Sequence, residues 1–596
     1  MYNENMKWTE QQEKAISENG HSLLVSAAAG SGKTAVLVER IRRLVMDEGI
    51  GLDRMLIVTF TRAAAGEMKE KIYKSLSKAL AEAGDDPGRR AMLRRQISAI
   101  GRADICTFDQ FALEVVHRYY HAAGLAPGIG VCDEGRGAIL RREAMDELFE
   151  DCFASGDPDF ADFLTRYCSS RSNDEARSMI TAFYDFLQSL PDPDGWMDSL
   201  CGGEFSAEPF VEFAAGRVRM LMRLALSYVD KAAELLGECP KLRAKLLTSR
   251  QSVESVLNMV ERDPEKGFAA FDLIKWERMA VSGGEKEIYE TVKGQVGKCL
   301  DKAKDLCRKD CKPYIGCSRA AICGERELML PQIRTLCRLT KDFSARYLEK
   351  KLKKNTLDFS DIEHYALEIL NNDEVAAEYR EKFICIFVDE YQDSNLVQDC
   401  LIRRIARPDN CFMVGDVKQS IYKFRQAEPE LFLEKYYAFR KGESVCGLDG
   451  RLIDLNRNFR SGSAVIELVN LVFERLMTPA STGIEYDKDA ALVQGRPKTE
   501  GASDQIALWL ADTSPAEDGG PEDEEVAELR SNELEALQAV SIIKKYHHSA
   551  VIKDENHPDG RLLEYRDMVI LMRGVRNRAE VFYKYLSNAG IPVVLD

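Results

Sequence analysis

The sequence predicts an α/β protein, with a doubly wound parallel sheet that is interrupted by a large helical insertion and followed by a second, partial α/β unit. Short apolar segments that end in polar residues alternate with helical patterns near the N-terminus and again after residue 380, which is typical of a parallel sheet covered by helices. Between TFDQFALEVV and LDFSDIEHYAL lie roughly 230 residues of almost purely helical periodicity. A glycine-bearing loop joins the first predicted strand to a helix, as in phosphate-binding α/β domains.

Length and composition indicate an ordinary globular protein of several domains. The chain has 596 residues, 45% of them hydrophobic and 30% charged, and this length favours roughly three to four domains. No apolar run approaches the roughly 18 residues of a membrane span, and the N-terminus lacks a signal-peptide core, so we expect a cytoplasmic protein without a membrane partner. The net charge of −16 does not exclude nucleic acid, because a phosphate-binding groove is a local feature.

The sixteen cysteines are scattered, which favours reduced thiols in a reducing compartment over a disulfide framework. Six of them lie in a helical region rich in lysine and arginine, where soft metals or an iron–sulfur cluster would need four thiolates. No C-x-x-C pair occurs there, so metal binding is not favoured, although it stays open. The six are Cys299, Cys307, Cys311, Cys317, Cys323 and Cys337.

The segment HSLLVSAAAGSGKTAVLVERI predicts a strand, a loop of small residues and a helix. Backbone N–H groups of such a loop can wrap a phosphate, and the helix N-terminus adds partial positive charge. Lys33 is then expected to reach the outer phosphates and Thr34 to ligate magnesium. Ala27 replaces the first glycine of the usual pattern. The predicted cradle consists of Ala27, Ala28, Ala29, Gly30, Ser31, Gly32, Lys33 and Thr34.

The apolar segment FICIFV leads directly into two acids, Asp389 and Glu390. Ligands of parallel sheets gather at the carboxyl ends of the strands, and a nucleotide with magnesium needs a carboxylate for the metal and a base for the attacking water. Asp389 fits the metal role and Glu390 the base. The alternative is a helix N-cap followed by an acidic first turn.

Further strands are predicted at MLIVTF, ADICTF and CFMVGD, and in the second unit at RLIDLNRNFR, DQIALWLAD and RDMVILMR, with a last apolar segment at IPVVLD.

These elements divide the chain into four segments. We expect the first sheet domain in residues 1–115 and 353–446, the helical insertion in 116–352, and an incomplete second unit in 447–596.

Six segments, in this order, resemble the UvrD-like superfamily 1 DNA helicases and, within them, the AddA-type helicase–nuclease subunits: WTEQQEKAI, AAAGSGKTAVLVERI, TFTRAAAGEM, VDEYQDSN, VGDVKQSIYKFRQAEPELF and LNRNFRS. The resemblance implies RecA-like P-loop motor domains that use ATP and Mg²⁺ for 3′ to 5′ translocation on single-stranded DNA and for unwinding double-stranded DNA in double-strand-break repair and recombination. It also implies an AddB-like second subunit.

The resemblance further implies roles for residues outside the glycine loop and the acid pair. Gln12 would read the adenine edge and Phe459 would stack on the base. Gln419 would sense the γ-phosphate, and Arg460 would act as an arginine finger from the second unit. The implied catalytic residues are therefore Lys33, Glu390, Gln419 and Arg460.

Single-stranded DNA would be bound by aromatic platforms and backbone contacts. Three positions at or beside the implied DNA contacts depart from the family pattern. Asp109 and Gln110 stand where relatives often carry His-Ser, and an acid beside a DNA phosphate would be repulsive. Phe424 stands where relatives often carry tryptophan, which preserves stacking. The implied DNA contacts are Phe60, Thr61, Arg62, Thr107, Phe108, Tyr422 and Phe424.

The later motor motifs and the nuclease domain of AddA-type subunits find no match, so we interpret the sequence as the N-terminal helicase portion of a longer protein. Three alternatives stay open at this point. One is a stand-alone repair helicase of the UvrD or PcrA type. The others are a small-molecule P-loop kinase and a regulatory DNA-binding subunit without ATPase activity.

Overall fold

The computed structural model describes residues 8–169, 172–237, 239–280, 284–496, 505–510, 524–552, 557, 559–576 and 578–595. The chain forms two compact units. One comprises Met1–Leu125 and Ile362–Asp596, and the other comprises Ala126–Asp361.

Across the described residues the strands are β1 Ser22–Ala27, β2 Met55–Thr59, β3 Asp104–Thr107, β4 Gly130–Val131, β5 Thr356–Leu357, β6 Cys385–Val388, β7 Cys411–Gly415, β8 Gly450–Leu455, β9 Arg457–Asn458, β10 Val493–Gln494, β11 Val551–Ile552 and β12 Arg561–Leu562. The α-helices are α1 Glu10–Ser17, α2 Lys33–Met46, α3 Arg62–Glu82, α4 Pro87–Ala99, α5 Phe108–Tyr119, α6 Glu134–Ser155, α7 Pro158–Tyr167, α8 Asp174–Leu187, α9 Pro193–Gly202, α10 Glu208–Leu235, α11 Pro240–Arg262, α12 Pro264–Ala269, α13 Lys286–Asp305, α14 Arg319–Lys353, α15 Phe359–Leu370, α16 Asp373–Lys382, α17 Leu396–Ile405, α18 Pro429–Lys441, α19 Ser463–Leu476, α20 Pro479–Thr482, α21 Glu524–Tyr546 and α22 Ala579–Asn588.

The first unit is built on a six-stranded sheet with the order β3-β2-β6-β7-β1-β8. All of its pairings are parallel, which confirms the predicted α/β class with a parallel sheet. The central strands are apolar and buried along their length, as strands covered by helices on both faces must be. Side chains from α2 and α3 complete the core on one face.

The segment RLIDL, predicted to open a second α/β unit, is β8, and the structure corrects that assignment for this strand. β8 pairs in parallel with β1, with Leu24 opposite Leu452, and is therefore the edge strand of the first sheet. An apolar segment predicts a strand but does not reveal which sheet it joins, because strand pairing is a long-range contact.

Three further predictions of strands are wrong within the described residues. Residues 505–510 of DQIALWLAD and 568–572 of RDMVILMR are not strands, and neither are residues 591–595 of IPVVLD. The segments differ in burial: Leu508 and Leu571 are 83% and 87% exposed, whereas Ile591 is buried in a small core with Phe582 and Leu586. A strand needs a partner as well as an apolar sequence.

The second unit is helical, as its periodicity predicts. Two apolar cores hold it together. One lies among α10, α11 and α13, and the other among α6, α7, α8 and α14. Its strands β4 and β5 form one short parallel pair.

Several cysteines of the predicted cluster pack as small apolar side chains. Cys299, Cys307 and Cys311 are buried in the core around α10 and α13, and burial raises the pKa of the Cys307 and Cys311 thiols to about 12. Among the described residues no group of three or more His, Cys, Asp or Glu side chains is arranged to hold a metal ion.

Within the same described part of the chain, none of the helices has both the length and the apolar character that crossing a membrane requires.

Candidate active site

The loop of residues 28–32 connects β1 to α2 in the first unit. Gly30 and Gly32 have φ angles of 69° and 85°, a left-handed conformation that favours glycine. A Cβ at Gly30 would lie 2.7 Å from the Asn458 side-chain oxygen, so the close approach also requires glycine. Ala27 is the last residue of β1, and the loop begins one residue later than the sequence suggests.

The structure brings the predicted lysine and the predicted base together. Lys33 is the first residue of α2, and its Nζ lies 2.8 Å from Oε2 and 3.1 Å from Oε1 of Glu390. The two residues follow β1 and β6, which are separated in the sheet by β7. The carboxyl ends of parallel strands thus assemble a cation and an acid that are 357 residues apart in sequence.

Glu390 itself has a φ of 50°, a left-handed conformation that is costly for a residue with a side chain. Its N–H donates to Asp389 Oδ1 at 3.1 Å. The left-handed residue thus lies directly after Asp389 at the end of β6.

Asp389 is largely buried, and burial together with the charge of Glu390 raises its pKa to about 6, while Lys33 acts in the opposite direction. A buried carboxylate with a raised pKa is stabilised in its ionised form by a bound cation. Thr34, in the first turn of α2, supplies a hydroxyl. Carboxylate and hydroxyl oxygens are hard ligands, which suit Mg²⁺ when phosphates and water complete its shell.

The sequence analysis missed Gln392, although it follows the acid pair by two residues. Its side chain is only 2% exposed, its Nε2 donates to Glu390 Oε2 at 3.0 Å, and its Oε1 accepts from the N–H of Asp416 at 2.9 Å. Gln392 stands in the polar stretch DEYQDSN, so its residue type alone did not distinguish it from its neighbours.

Asp393 was also missed. It is 7% exposed and accepts from Gln392 Nε2 at 3.2 Å. Burial and the charge of Glu390 raise the pKa of Asp393 to about 6. A third carboxyl therefore lies in the electrostatic field of the acid pair.

Gln419 follows β7, as predicted, in a short helical turn. Its Nε2 donates to Asp416 Oδ2 at 2.7 Å, and Asp416 Oδ1 pairs with Lys418 at 2.9 Å. Asp416 is buried, so it fixes both side chains of this turn at the carboxyl edge of the sheet.

A cavity of about 530 Å³ lies beside the glycine loop. Gln12 lines it, and its Nε2 donates to the carbonyl of Ser31 at 3.0 Å while its Oε1 accepts from the N–H of Thr9 at 3.0 Å. One amide hydrogen and one lone pair of Gln12 remain for a ligand. The lining residues are Thr9, Glu10, Gln11, Gln12, Ser31, Leu452, Asp454, Leu455, Asn456, Arg457, Phe459 and Asp489.

Phe459 and Arg460 lie next to the glycine loop, as the motif order predicts. The N–H of Phe459 donates to the carbonyl of Gly30 at 2.8 Å, and a Cβ at Gly30 would lie 2.8 Å from Arg460 Cβ. Asn458, which sequence reasoning missed, accepts from the N–H groups of Arg460 and Ser461 at 2.8 and 2.7 Å. It holds this segment in place.

Three of the predicted DNA-contacting aromatic residues form one cluster. The ring centroids of Phe60 and Tyr422 are 4.8 Å apart, and those of Tyr422 and Phe424 are 5.8 Å apart. Phe424 is 74% exposed. Thr61 and Arg62 directly follow Phe60 in the sequence. Thr61 caps α3 by accepting from the N–H of Ala64, and Arg62 is exposed.

Thr107 and Phe108 lie in a different environment. Both are buried, at 4% and 5% exposure, and Thr107 caps α5 by accepting from the N–H of Gln110 at 3.3 Å. Burial also raises the pKa of Asp109. The structure corrects the expectation here: the Phe108 ring packs in the core and has no open face on which a base could stack.

The comparisons with known proteins agree with this arrangement. A family model described as the UvrD/REP helicase N-terminal domain matches residues 8–201 and 285–440. Proteins named as the AddA component of an ATP-dependent helicase/nuclease are similar along almost the whole chain. The one from Alkaliphilus oremlandii is 36% identical over 99% of this chain and 49% of its own length.

Two further proteins of that name give the same picture. The Acetivibrio thermocellus protein is 35% identical over 100% of this chain and 51% of its own, and the Bacillus pumilus protein is 35% identical over 99% and 49%. The chain spans about half the length of the curated relatives it matches. Because the family model covers more than half of the residues and includes the glycine loop and the acid pair, the chain belongs to the UvrD/REP helicase family.

Proposed function

We propose that this chain is the ATP-hydrolysing motor portion of an AddA-type DNA helicase. The observation that carries the proposal is the contact between Lys33 and Glu390 beside the glycine loop, since it supports a site in which the lysine binds phosphate and the carboxylate acts as a base. Similarity to helicase/nuclease proteins along almost the whole chain favours this function over a stand-alone UvrD- or PcrA-type helicase.

In this function the cavity beside the glycine loop takes the adenine end of ATP. Gln12 contributes its remaining amide hydrogen and lone pair, and Phe459 its ring. The N–H groups of residues 28–32 cradle the phosphates. RecA-like domains would carry these elements, and β8 belongs to the sheet of the first one.

The polyphosphate is the natural competitor for the Lys33 ammonium. When Lys33 turns from Glu390 to the phosphates, the Glu390 carboxylate is free to accept a proton from the attacking water. Thr34 and Asp389 would hold Mg²⁺, which neutralises charge on the phosphates when it is bound. Gln419 and Arg460 would contact the transferred phosphate and favour its departure.

DNA is the second substrate of this proposal. The aromatic cluster of Phe60, Tyr422 and Phe424 provides stacking faces for a single strand, with Thr61 and Arg62 available for its backbone. We propose 3′ to 5′ movement on the single strand with unwinding of duplex DNA, a cytoplasmic location and an AddB-like partner.

The test is the ATPase activity of the full-length protein with and without single-stranded DNA. We expect magnesium-dependent ATP hydrolysis that single-stranded DNA stimulates. In the Lys33→Ala variant we expect neither the basal nor the DNA-stimulated hydrolysis. A small-molecule kinase would instead consume ATP only with an acceptor, and a regulatory DNA-binding protein would bind DNA without hydrolysis. Either result would overturn the proposal.

A further inference from the structure

Two segments of the first unit are hydrogen-bonded to each other at both ends. One is the acidic turn, residues 389–394, which carries Glu390. The other is the aromatic loop, residues 416–428, which carries Tyr422 and Phe424. The N–H of Asp416 donates to Gln392 Oε1 at 2.9 Å, and the N–H of Glu428 donates to the carbonyl of Ser394 at 3.0 Å. The aromatic loop therefore begins and ends on the acidic turn.

A buried polar network fixes the helix that follows the loop. The Tyr391 hydroxyl donates to Asp399 Oδ1 at 2.6 Å, and the Lys435 ammonium of α18 lies 3.1 Å from the same oxygen. All three side chains are buried, at 1%, 2% and 0% exposure. The helix α18 is therefore anchored on the acidic turn through Tyr391 and Asp399.

Gln392 is the side chain that connects the Asp416 end to the acid pair. Its Oε1 accepts from Asp416, and its Nε2 donates to Glu390 Oε2 at 3.0 Å and to Asp393 Oδ2 at 3.2 Å. In the reverse orientation the Gln392 NH₂ group would face the N–H of Asp416, and two donors would meet. The contacts therefore define which way the Gln392 amide points. A Cβ at Gly415 would collide with Gln392 Oε1, which shows how closely the amide is enclosed.

Lys33 and Gln392 donate to the same oxygen of Glu390, Oε2. When the lysine moves to the phosphates, Gln392 is the donor that continues to orient the carboxylate. A small displacement of a positioned catalytic group is enough to lower a rate strongly.

We propose that Gln392 is a positioning residue that transmits the state of the aromatic loop to Glu390, so that single-stranded DNA on Tyr422 and Phe424 sets the carboxylate for water activation. This role rests on the proposed function, since it requires that the protein hydrolyse ATP and bind single-stranded DNA at the aromatic cluster. The hydrogen-bonded part of the path runs from Asp416 to Gln392 to Glu390, and Asp416 begins the loop that carries Tyr422.

The experiment compares Gln392→Met and Gln392→Glu with the parent in the full-length protein. Methionine preserves volume and removes all three side-chain hydrogen bonds of Gln392. Glutamate preserves the acceptor for Asp416 but cannot donate to Glu390. We expect both variants to lower kcat at saturating oligo-dT by about 10- to 100-fold, with KM for ATP and Kd for oligo-dT changed less than about twofold.

Gln398→Met is the matched control. Gln398 is a half-buried glutamine that also donates to a carboxylate, Glu363 Oε1, at 2.8 Å, but it has no contact with Glu390 or Asp416 among its described hydrogen bonds. We expect this variant to keep its stimulation by DNA.

The outcomes separate the two proposals. A parent protein without DNA-stimulated hydrolysis overturns the proposed function. A stimulated parent whose Gln392 variants are stimulated to the same extent overturns the role of Gln392 alone. If kcat falls only in proportion to a loss of folded protein in thermal melts, Gln392 has a structural role only. Should one of the two variants fail to fold, the other still tests whether Gln392 positions Glu390.

Discussion

At the scale of single residues, the site depends on one cation, two consecutive carboxylates and one amide. Lys33 and Glu390 form an ion pair in which the Lys33 side chain is mostly buried and the Glu390 side chain is partly exposed, and Asp389 lies beside it with a raised pKa. The three charges have different roles, and single substitutions distinguish them.

Lys33→Ala should abolish productive use of ATP, because it removes the ammonium that binds the outer phosphates where water is largely excluded. The measurement is ATP hydrolysis by the full-length protein. Lys14→Ala is a suitable control, since Lys14 is exposed and pairs with Glu10 within α1. Hydrolysis at the parental rate in the Lys33 variant would contradict the assignment of the glycine loop.

Glu390→Gln should leave nucleotide binding intact and lower turnover by about 10² to 10⁴, because the amide has the same shape but cannot accept the proton of water. Binding of a fluorescent ATP analogue and steady-state hydrolysis measure the two effects separately. The opposite result, weak binding with normal turnover, would mean that Glu390 holds the metal and Asp389 is the base.

The raised pKa of Asp389, about 6, predicts a pH dependence of metal–nucleotide binding. Only the ionised carboxylate ligates Mg²⁺, so protons compete with the metal as the pH falls through that value. We expect the affinity for the magnesium complex of a non-hydrolysable ATP analogue to fall below about pH 6. The Asp389→Asn variant lacks this carboxyl group, so any pH dependence that it retains comes from titration of the nucleotide itself. If its affinity depended on pH in the same way as that of the parent protein, the prediction would be contradicted.

At the scale of secondary-structure elements, the position of each element at the carboxyl edge of the sheet determines its role. The aromatic loop follows β7 and the acidic turn follows β6, and these strands are neighbours. Phe424 is exposed because the loop projects it from the sheet, whereas Phe108 starts a helix that packs on the sheet and is buried.

Phe424→Ala should weaken binding of single-stranded DNA by about 1 to 3 kcal/mol, the usual contribution of one stacked base, with little loss of stability because the ring is exposed. Fluorescence anisotropy with labelled oligonucleotides and thermal melts check both parts. Phe213→Ala, which removes a 66% exposed ring of α10 in the helical unit, is the control. A lower melting temperature with unchanged DNA affinity would assign Phe424 a packing role.

In the helical unit, α14 ends on a buried ion pair whose loss should be costly. Lys351 is fully buried; its Nζ lies 2.7 Å from Asp358 and also pairs with Asp361. Lys351→Met leaves two buried carboxylates without their cation, and we expect a loss of about 3 to 5 kcal/mol. Lys353→Met removes an exposed pair with Glu349 and should cost less than about 1 kcal/mol. Denaturant unfolding measures both, and equal losses would contradict the prediction.

At the scale of the whole molecule, local patterns predicted the class of fold and most of the site. The glycine loop, the acid pair and the strands that precede them are contiguous in sequence, and their chemistry follows from residue type and spacing. The burial of Phe108 and the exposure of Leu508 and Leu571 could not be predicted, because an aromatic or apolar residue becomes core only where another element covers it.

The sequence by itself determined the parallel α/β class and the helical insertion, and it indicated Lys33, Asp389 and Glu390 as candidate reactive groups. Only the tertiary structure decided that RLIDL is the sixth strand of the first sheet, that Lys33 meets Glu390, and that Gln392 joins the acidic turn to the aromatic loop. The reason is physical. Periodicity and motif spacing report interactions between near neighbours in the chain, whereas strand order and buried hydrogen bonds join residues far apart in sequence that meet only when the sheet has formed.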